Sequence, residues 1–425
     1  MLGWKGRPVR FVVFPIMSET LQNSINRRRL LKTTTLAAAG ATLAAPLRAA
    51  QAGGSRKLRV GLVGCGGRGN FIAGLMAEHG GYEIVAGADY FQDRLDGFGA
   101  KFKVPAGKLF PGRSGFRKMI EDAGLDVVAI ESPPYFHPEQ AQAAVEAGKH
   151  VYVAKPVAVD VPGCLSIEQS GALATRKGLT FLVDFQTRAD EFYQGAIRRL
   201  HDGAIGDLSW GESTYHAGLP FAGMEAFLKK DPEDPEMRLR AWGVDRVLSG
   251  DIITEQNIHT LDVASWIMNR KPLNATGSAN RKVRGFGNCS DHFSVIYRFE
   301  GEVDISFTSR QYNGHGTQPD GIRNRMFGTG GVLECKYAGQ VLLRAREIYR
   351  GQSPALYKTG PVTNIADFHT AVTKGDASNP TVAPSVESNL LTILGRSAAY
   401  LGRNVTWDEM MQANEALDPG LELKA

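Results

Sequence analysis

The sequence predicts an α/β fold whose N-terminal half is a doubly wound parallel sheet. Three observations carry that expectation. Leu58–Val63 is a short apolar, β-branched run of the kind buried in a parallel sheet, and it leads straight into Gly64-Cys65-Gly66-Gly67-Arg68-Gly69. Further apolar runs at 83–88, 126–130 and 151–153 alternate with helical spacing, as consecutive βαβ units do. The chain has 425 residues, 43% hydrophobic and 22% charged, which is enough for two or three domains with real cores.

Residues 1–52 read as a separate, removable segment. Asn26-Arg27-Arg28-Arg29-Leu30-Leu31-Lys32 resembles the twin-arginine export signature, and Met17 is an alternative start. The Ala-rich run 33–47 that follows is too short for a membrane span, which needs about 20 strongly apolar residues. Ala50-Gln51-Ala52 fits a small-x-small cleavage site. The expected location is therefore periplasmic, reached by a route that carries folded proteins.

The formal charge of +5 is concentrated in this leader, which holds eight of the 49 basic residues and one of the 44 acidic ones. The remainder is nearly neutral, so nothing points to nucleic acid or an anionic membrane as partner. Cys65, Cys164, Cys289 and Cys335 form no C-x-x-C pair, so neither a metal site nor a redox dithiol is signalled. In an oxidising compartment a Cys289–Cys335 disulfide is open.

The glycine loop reads as a dinucleotide cradle. Gly64 makes the tight turn, Gly66 admits the pyrophosphate, Gly69 lets helix pack on strand, and Gly67 and Arg68 complete the loop. Asp89 ends the second strand about 20 residues on, where a ribose-binding carboxylate belongs. It favours NAD over NADP, although Arg94 and Arg68 could meet a 2′-phosphate. Ser132, Pro133 and His137, in the turn after the strand 126–130, are further cofactor candidates. The first domain spans 53–180. The second, 181–425, begins where a strand near Thr180 leaves the first, with Gln186 (cofactor side) and Arg188 (substrate side) just beyond it.

The stretches GKHVYVAKPVAVD and SPPYFHPEQAQAAVEAG, with the glycine loop, resemble the glucose–fructose oxidoreductase/inositol dehydrogenase/MocA family across nearly all of the mature chain. The resemblance implies a C-terminal α/β domain with a large, mainly antiparallel sheet, and nicotinamide-dependent work on sugars and polyols. The last helices are expected to pack back on the first domain. The family's Glu-Lys-Pro appears here as Ala154-Lys155-Pro156, which keeps the lysine and loses the carboxylate. In Gly250–Met268, one helix would place Asp251, Glu255, His259 and Asp262 on one face. That segment resembles the family's D-x-x-x-H, which implies His259 as the acid/base, with Glu255 in the usual aspartate's place.

Lys155, His259 and Glu255 are thus the catalytic candidates: His259 as base, Glu255 orienting it, and Lys155 polarising the forming carbonyl. Arg188, Tyr215, His216, Trp242 and Asp262 are the substrate-binding candidates, Trp242 as a stacking platform. Residues 227–246 read as a charged surface loop, 295–310 as a hairpin about Glu300-Gly301, and 311–331 as a long Gly-rich loop in which His315 borders the cleft. The functional expectation is an oxidoreductase acting on a sugar, polyol or glycoside, with a tightly bound nicotinamide cofactor recycled within each cycle. A redox-neutral glycoside hydrolase or lyase working through a keto-sugar is the alternative, and a non-catalytic sugar binder the third reading. Residues 311–331 or an arm at 53–57 would cover the cofactor. A homo-oligomer, dimer or tetramer, is expected.

Overall fold

The computed structural model describes residues 56–121, 124–313 and 321–423. The export segment and His315 lie outside them. The first sheet is wholly parallel. Its strands are β1 (Leu58–Val63), β2 (Tyr82–Asp89), β3 (Leu109–Pro111), β4 (Val127–Ile130), β5 (His150–Ala154) and β6 (Phe181–Asp184), in the order β3-β2-β1-β4-β5-β6. Helices α1 (Gly67–His79), α2 (Gln92–Phe102), α3 (Gly115–Glu121), α4 (His137–Glu146) and α5 (Val161–Arg176) cross over between them. The strand order reverses between β1 and β4, the point where such sheets bind ligands. β6, which the sequence reading gave to the second domain, is the sixth strand of this sheet and pairs with β5 from Val151↔Phe181 to Ala154↔Asp184.

α6 (Glu191–His201) and β7 (Leu208–Ala217) enter a second sheet. The charged stretch after β7, read as loop, folds into α7 (Glu225–Lys230) and α8 (Pro235–Arg240). Asp234 caps α8 by accepting from Met237 N at 2.8 Å, with Pro235 at the first helical position. α9 (Arg246–Ser249), α10 (Asp251–Glu255) and α11 (Ile258–Met268) follow. Then come β8 (Asn274–Asn280), β9 (His292–Phe299), β10 (Val303–Gln311), β11 (Ile322–Gly328), β12 (Gly331–Lys336), β13 (Gln340–Arg344) and β14 (Ile348–Gln352). α12 (Leu356–Lys374), α13 (Val382–Leu401), β15 (Val405–Thr406) and α14 (Trp407–Ala413) end the chain.

The nine strands lie in the order β14-β13-β12-β11-β7-β10-β9-β8-β15, all antiparallel except β7 with β10. β9 and β10 form the expected hairpin, its turn holding Gly301 and Glu302 at positive φ. β11 lies inside the stretch read as loop. Arg323 and Arg325 hid the strand, because both turn to the outer face and pair with Glu212 there while Asn324 and Met326 face inward. The last long helices do pack back on the first sheet: Tyr82 donates to Ile365 O at 2.7 Å and Tyr152 meets Phe368 edge-on at 5.6 Å. All four cysteines are buried free thiols, so the Cys289–Cys335 pair does not form. No helix among the described residues is long and apolar enough to cross a membrane, and no cluster of metal-ligating side chains occurs among them.

The segment 251–268 is not one helix. It breaks at Gln256–Asn257, and Asp251, at φ +66°, turns away from the cleft. Its carboxylate accepts from Ser290 N at 3.0 Å and from the Tyr400 hydroxyl, tying α10 to α13. Asp251→Ala should therefore cost about 3 kcal/mol in chemical denaturation, by leaving the Ile252 and Ser290 amides and the Tyr400 hydroxyl without their acceptor. A loss under about 1 kcal/mol would show that these bonds do not hold the junction.

Candidate active site

The carboxyl ends of β1, β2 and β4 open onto a cavity of about 520 Å³, within the usual range for ligand pockets. Gly64, Gly66, Gly67, Arg68, Asp89, Arg94, Ser132 and Pro133, all cofactor candidates from the sequence, line it. Gly64 has φ +89°, and a Cβ there would meet Ser132 N at 2.5 Å. A Cβ on Gly69 would run into the Gly64 carbonyl oxygen, so only glycine lets α1 start this close to β1. On Gly66 a Cβ would face only the Arg94 guanidinium, at 3.3 Å, so this backbone is open on the cavity side. A small, unobstructed glycine backbone beside a cation fits a pyrophosphate.

Asp89 plays two parts. Its carboxylate accepts from Cys65 N at 2.8 Å and Phe91 N at 2.9 Å, so it fixes the glycine loop while lining the cavity. Burial raises its pKa, opposed by the bond from Phe91 N.

His137 is not on the cavity. Its ring is buried between Ser132 O at 2.7 Å and Pro156 O at 2.9 Å, where it fastens one loop to the other. Burial pushes its pKa down to about 4. Gln186 is likewise taken up structurally, accepting from the Tyr337 hydroxyl and donating to Tyr357 O at 3.4 Å.

At the adenosine end the lining is apolar. Phe91, Phe221, Met224, Leu239, Trp242 and Leu423 form it. Trp242 sits here, tilted against Phe221 at 5.4 Å, and not among substrate groups. α8 is strapped over this end. Arg240 pairs with both Asp93 carboxylate oxygens at 2.7 and 3.1 Å and covers the Phe91 ring at 3.8 Å, while Tyr90 donates to Glu236 at 3.0 Å. The C-terminal tail closes beside it: Leu417 N donates to Asp160 at 2.8 Å and Arg238 to Pro419 O at 3.1 Å. Of the two segments the sequence reading named as cover, residues 53–55 and 314–320 lie outside the described residues.

Lys155, leaving β5, reaches the helix break. Its ammonium donates to Glu255 O at 2.6 Å and lies 3.5 Å from Glu255 Oε1. Burial lowers the Lys155 pKa, against the opposing pull of Glu255. Glu255 therefore serves Lys155 and not His259. The Glu255 carboxylate also accepts from Gln256 at 2.5 Å, and Gln256 accepts from Tyr215 at 2.7 Å.

His259 is buried, its Nδ1 has no partner, and its ring lies 5.2 Å from Tyr337. Burial first, then Lys155 and Arg68, hold its pKa well below the ordinary value, so the ring is neutral at pH 7. Arg188 and Asp262 pair with each other at 2.8 Å, leaving Asp262 accepting also from Ser388 at 2.7 Å. His216 lies on the opposite sheet face from Tyr215, bonded to Thr308 Oγ1 at 3.0 Å, because adjacent strand residues point opposite ways. Gln256 and Glu131 were missed. Gln256 follows a motif residue and carried no signal of its own.

Residues 58–185 match the family model described as the oxidoreductase family, NAD-binding Rossmann fold, and residues 193–334 match the GFO/IDH/MocA C-terminal domain. The chain belongs to the Gfo/Idh/MocA oxidoreductase family. It is 27% identical over 227 residues to inositol 2-dehydrogenase 2 of Saccharopolyspora erythraea, covering 53% of this chain and 58% of that one. It is 28% identical over 212 residues to a glycosyl hydrolase family 109 protein of Shewanella pealeana, covering 45% and 46%. The chain thus spans about half the length of these relatives. Among solved structures, scyllo-inositol dehydrogenase from Lactobacillus casei, with bound NAD(H) and scyllo-inositol, shares the fold at TM-score 0.65 and 20% identity, over 83% of this chain and 100% of that one.

The electrostatics at His259 can be checked directly. In the Lys155→Met variant one repelling charge is gone, so the imidazolium forms more easily and the His259 midpoint, followed by NMR, should rise toward its ordinary value. An unmoved midpoint would show that burial and Arg68 hold the ring neutral without Lys155.

Proposed function

We propose that this protein is an exported oxidoreductase that acts on a sugar, polyol or glycoside and keeps its NAD bound between turnovers. The observation that carries the reading is the meeting of Lys155 and His259 beside a dinucleotide cavity whose adenosine end lies under α8 and the C-terminal tail. NAD, when bound, supplies a hydride acceptor. The protein's own groups handle the proton. Neutral His259 takes it from the substrate hydroxyl as the C–H bond breaks. Lys155, steadied by Glu255, polarises the oxygen that becomes the carbonyl.

Buried polar groups on β10 and at the helix break support a polyhydroxylated substrate. Ser309, which pairs with Tyr215, and Gln311 and Asn257 have buried side-chain polar atoms with no partner, and substrate hydroxyls would satisfy such groups.

Export rests on Arg27–Arg29 and the apolar run behind them. Outside the cytoplasm no pool renews the nucleotide, so the hydride must return within the cycle. The strapped adenosine end supports retention. The relatedness to glycosyl hydrolase family 109 proteins favours a second version of the same cycle, in which transient oxidation labilises a glycosidic bond and the hydride then returns. Self-association is supported by the outer face of the second sheet, where exposed Trp210 stacks on Phe327 at 4.7 Å near exposed Ile296.

The test is exhaustive dialysis of the mature protein, extraction of its nucleotide, and assay without added NAD on free sugars and aryl glycosides. Retained NAD with sustained turnover is expected. Activity that appears only with added NAD would mean an ordinary dissociable dehydrogenase. Release of phenol from aryl glycosides without net reduction would select the hydrolytic version. Lys155→Ala and His259→Ala should each lose about 10²–10⁴-fold in turnover with nucleotide content nearly intact.

The strap can be tested by itself. Arg240→Ala, combined with truncation after Ala413, should speed nucleotide release at least tenfold, read by dialysis and absorbance. Release at the wild-type rate would place retention elsewhere.

A further inference from the structure

Glu131 plays no part in the chemistry above. It follows Ile130, which pairs with Val153, so its row across the sheet runs on to Ala154 and from there to Asp184. Its carboxyl group is fully buried, and neither oxygen has a hydrogen-bond partner. Arg68 from α1 lies across the row. One guanidinium nitrogen bonds Asp184 at 2.6 Å, and another stands 3.8 Å from Glu131, too far for a hydrogen bond. Asp184 also accepts from Asn364 on α12 at 2.8 Å.

The charges in this cluster do not close. Lys155 is taken by Glu255, and Arg68 by Asp184. Glu131 shares Arg68, at 3.8 Å, with the closer Asp184, so three carboxylates face two cations, and a buried carboxylate so placed takes up a proton. Burial, joined by the nearby Asp184, pushes its pKa up to about 8, although Arg68 and Lys155 pull the other way. The buried Tyr152 hydroxyl on β5 adds no charge, being held well above its ordinary pKa.

In a doubly wound sheet the adenosine half of a dinucleotide lies at the end marked by Asp89. Its reactive half then lies toward β4–β6, where Lys155 and His259 stand. An oxidised nicotinamide is a cation, and a reduced one is neutral.

We propose that Glu131 is a redox-linked proton site, ionised when the bound nicotinamide is oxidised and protonated when it is reduced. It is a positioning residue that acts through charge, not through contact with substrate. The balance is complete: R₂CHOH and NAD⁺ give R₂C=O and NADH, the alcohol's proton passing to neutral His259, which returns it to solvent as the Glu131 carboxylate takes one up to become the acid. A hydride and a proton are thus both held until the return step. This inference rests on the nicotinamide reading above.

The test is potentiometric titration of the purified holoenzyme against pH with mediator dyes, following the near-ultraviolet band of the reduced ring. One extra proton taken up per reduction makes the equilibrium tenfold more pH-dependent per unit, which steepens the potential by about 29.6 mV per pH unit for a two-electron couple. Wild type should show that extra slope across neutral pH. Glu131→Gln should lose it and should have a more positive potential at high pH, because the oxidised ring has lost its counter-charge. A merely structural glutamate would change stability or nucleotide content and leave the slope alone. Equal slopes in wild type and Glu131→Gln overturn the proposal. Should that variant fail to fold, the slope in His259→Asn decides: it persists if Glu131 takes up the proton, and its loss there overturns the proposal in favour of the imidazole. A protein that carries no nicotinamide nucleotide at all fails the functional reading first, and the two failures are distinguishable.

Discussion

Lys155 is almost out of water, and an ammonium there must find acceptors or lose its proton. Its acceptors come from Glu255, 100 residues later in the chain. That contact helps to fix where the second sheet's helices stand against the first sheet. It also explains why the helix must break. A continuous α-helix through 251–268 would bond the Glu255 carbonyl to the amide of His259, four residues on. The break at Gln256–Asn257 frees that carbonyl for Lys155, and His259 N donates to Gln256 O at 3.3 Å. Arg396, from α13, braces the same junction by donating to Val159 O at 2.8 Å and Gly250 O at 3.0 Å.

The consequence for the chemistry is a division of labour that the motif alone does not display. Glu255 lies one helical turn from His259 in sequence but serves Lys155. The imidazole is kept neutral by burial and by two cations instead of being oriented by a carboxylate. A neutral ring is in the right state to accept a proton without any partner. The carboxylate in turn keeps the lysine charged against its own burial. Each group is thus held in the protonation state its role needs, by a different neighbour from the one that sequence spacing suggests.

The first sheet was legible because its signals are local. Apolar β-branched runs, glycines at fixed offsets and an acid at the end of β2 need no knowledge of partners. β11 was not legible, since Arg323 and Arg325 face outward to Glu212 and break the apolar pattern a strand is read from. Trp242 was misplaced for a related reason. An aromatic residue in a polar stretch announces that it stacks, but not on what. His216 shows the limit of adjacency, because two neighbouring strand residues cannot both face one cleft. Glu131 gave no signal at all. Its meaning lies in the row it shares with Ala154 and Asp184, and that row exists only once β4, β5 and β6 are paired.

The two ends of the cavity are built by different parts of the chain, and this bears on how a retained cofactor can work. The adenosine end is closed by α8 and the tail, through Arg240 on Asp93 and Leu417 on Asp160. At the reactive end, Lys155 after β5, and His259 and the Tyr215–Gln256–Glu255 chain from the second sheet and the helix break, stand outside the cavity lining, coupled to it through Arg68. On the proposed reading, substrate and product exchange at the reactive end while the strap stays in place, so holding the nucleotide tightly need not slow turnover. An enzyme that must release its nucleotide each cycle faces the opposite demand, because tighter binding at the adenosine end directly slows its last step. Separating the two ends removes that conflict and makes permanent retention compatible with repeated catalysis.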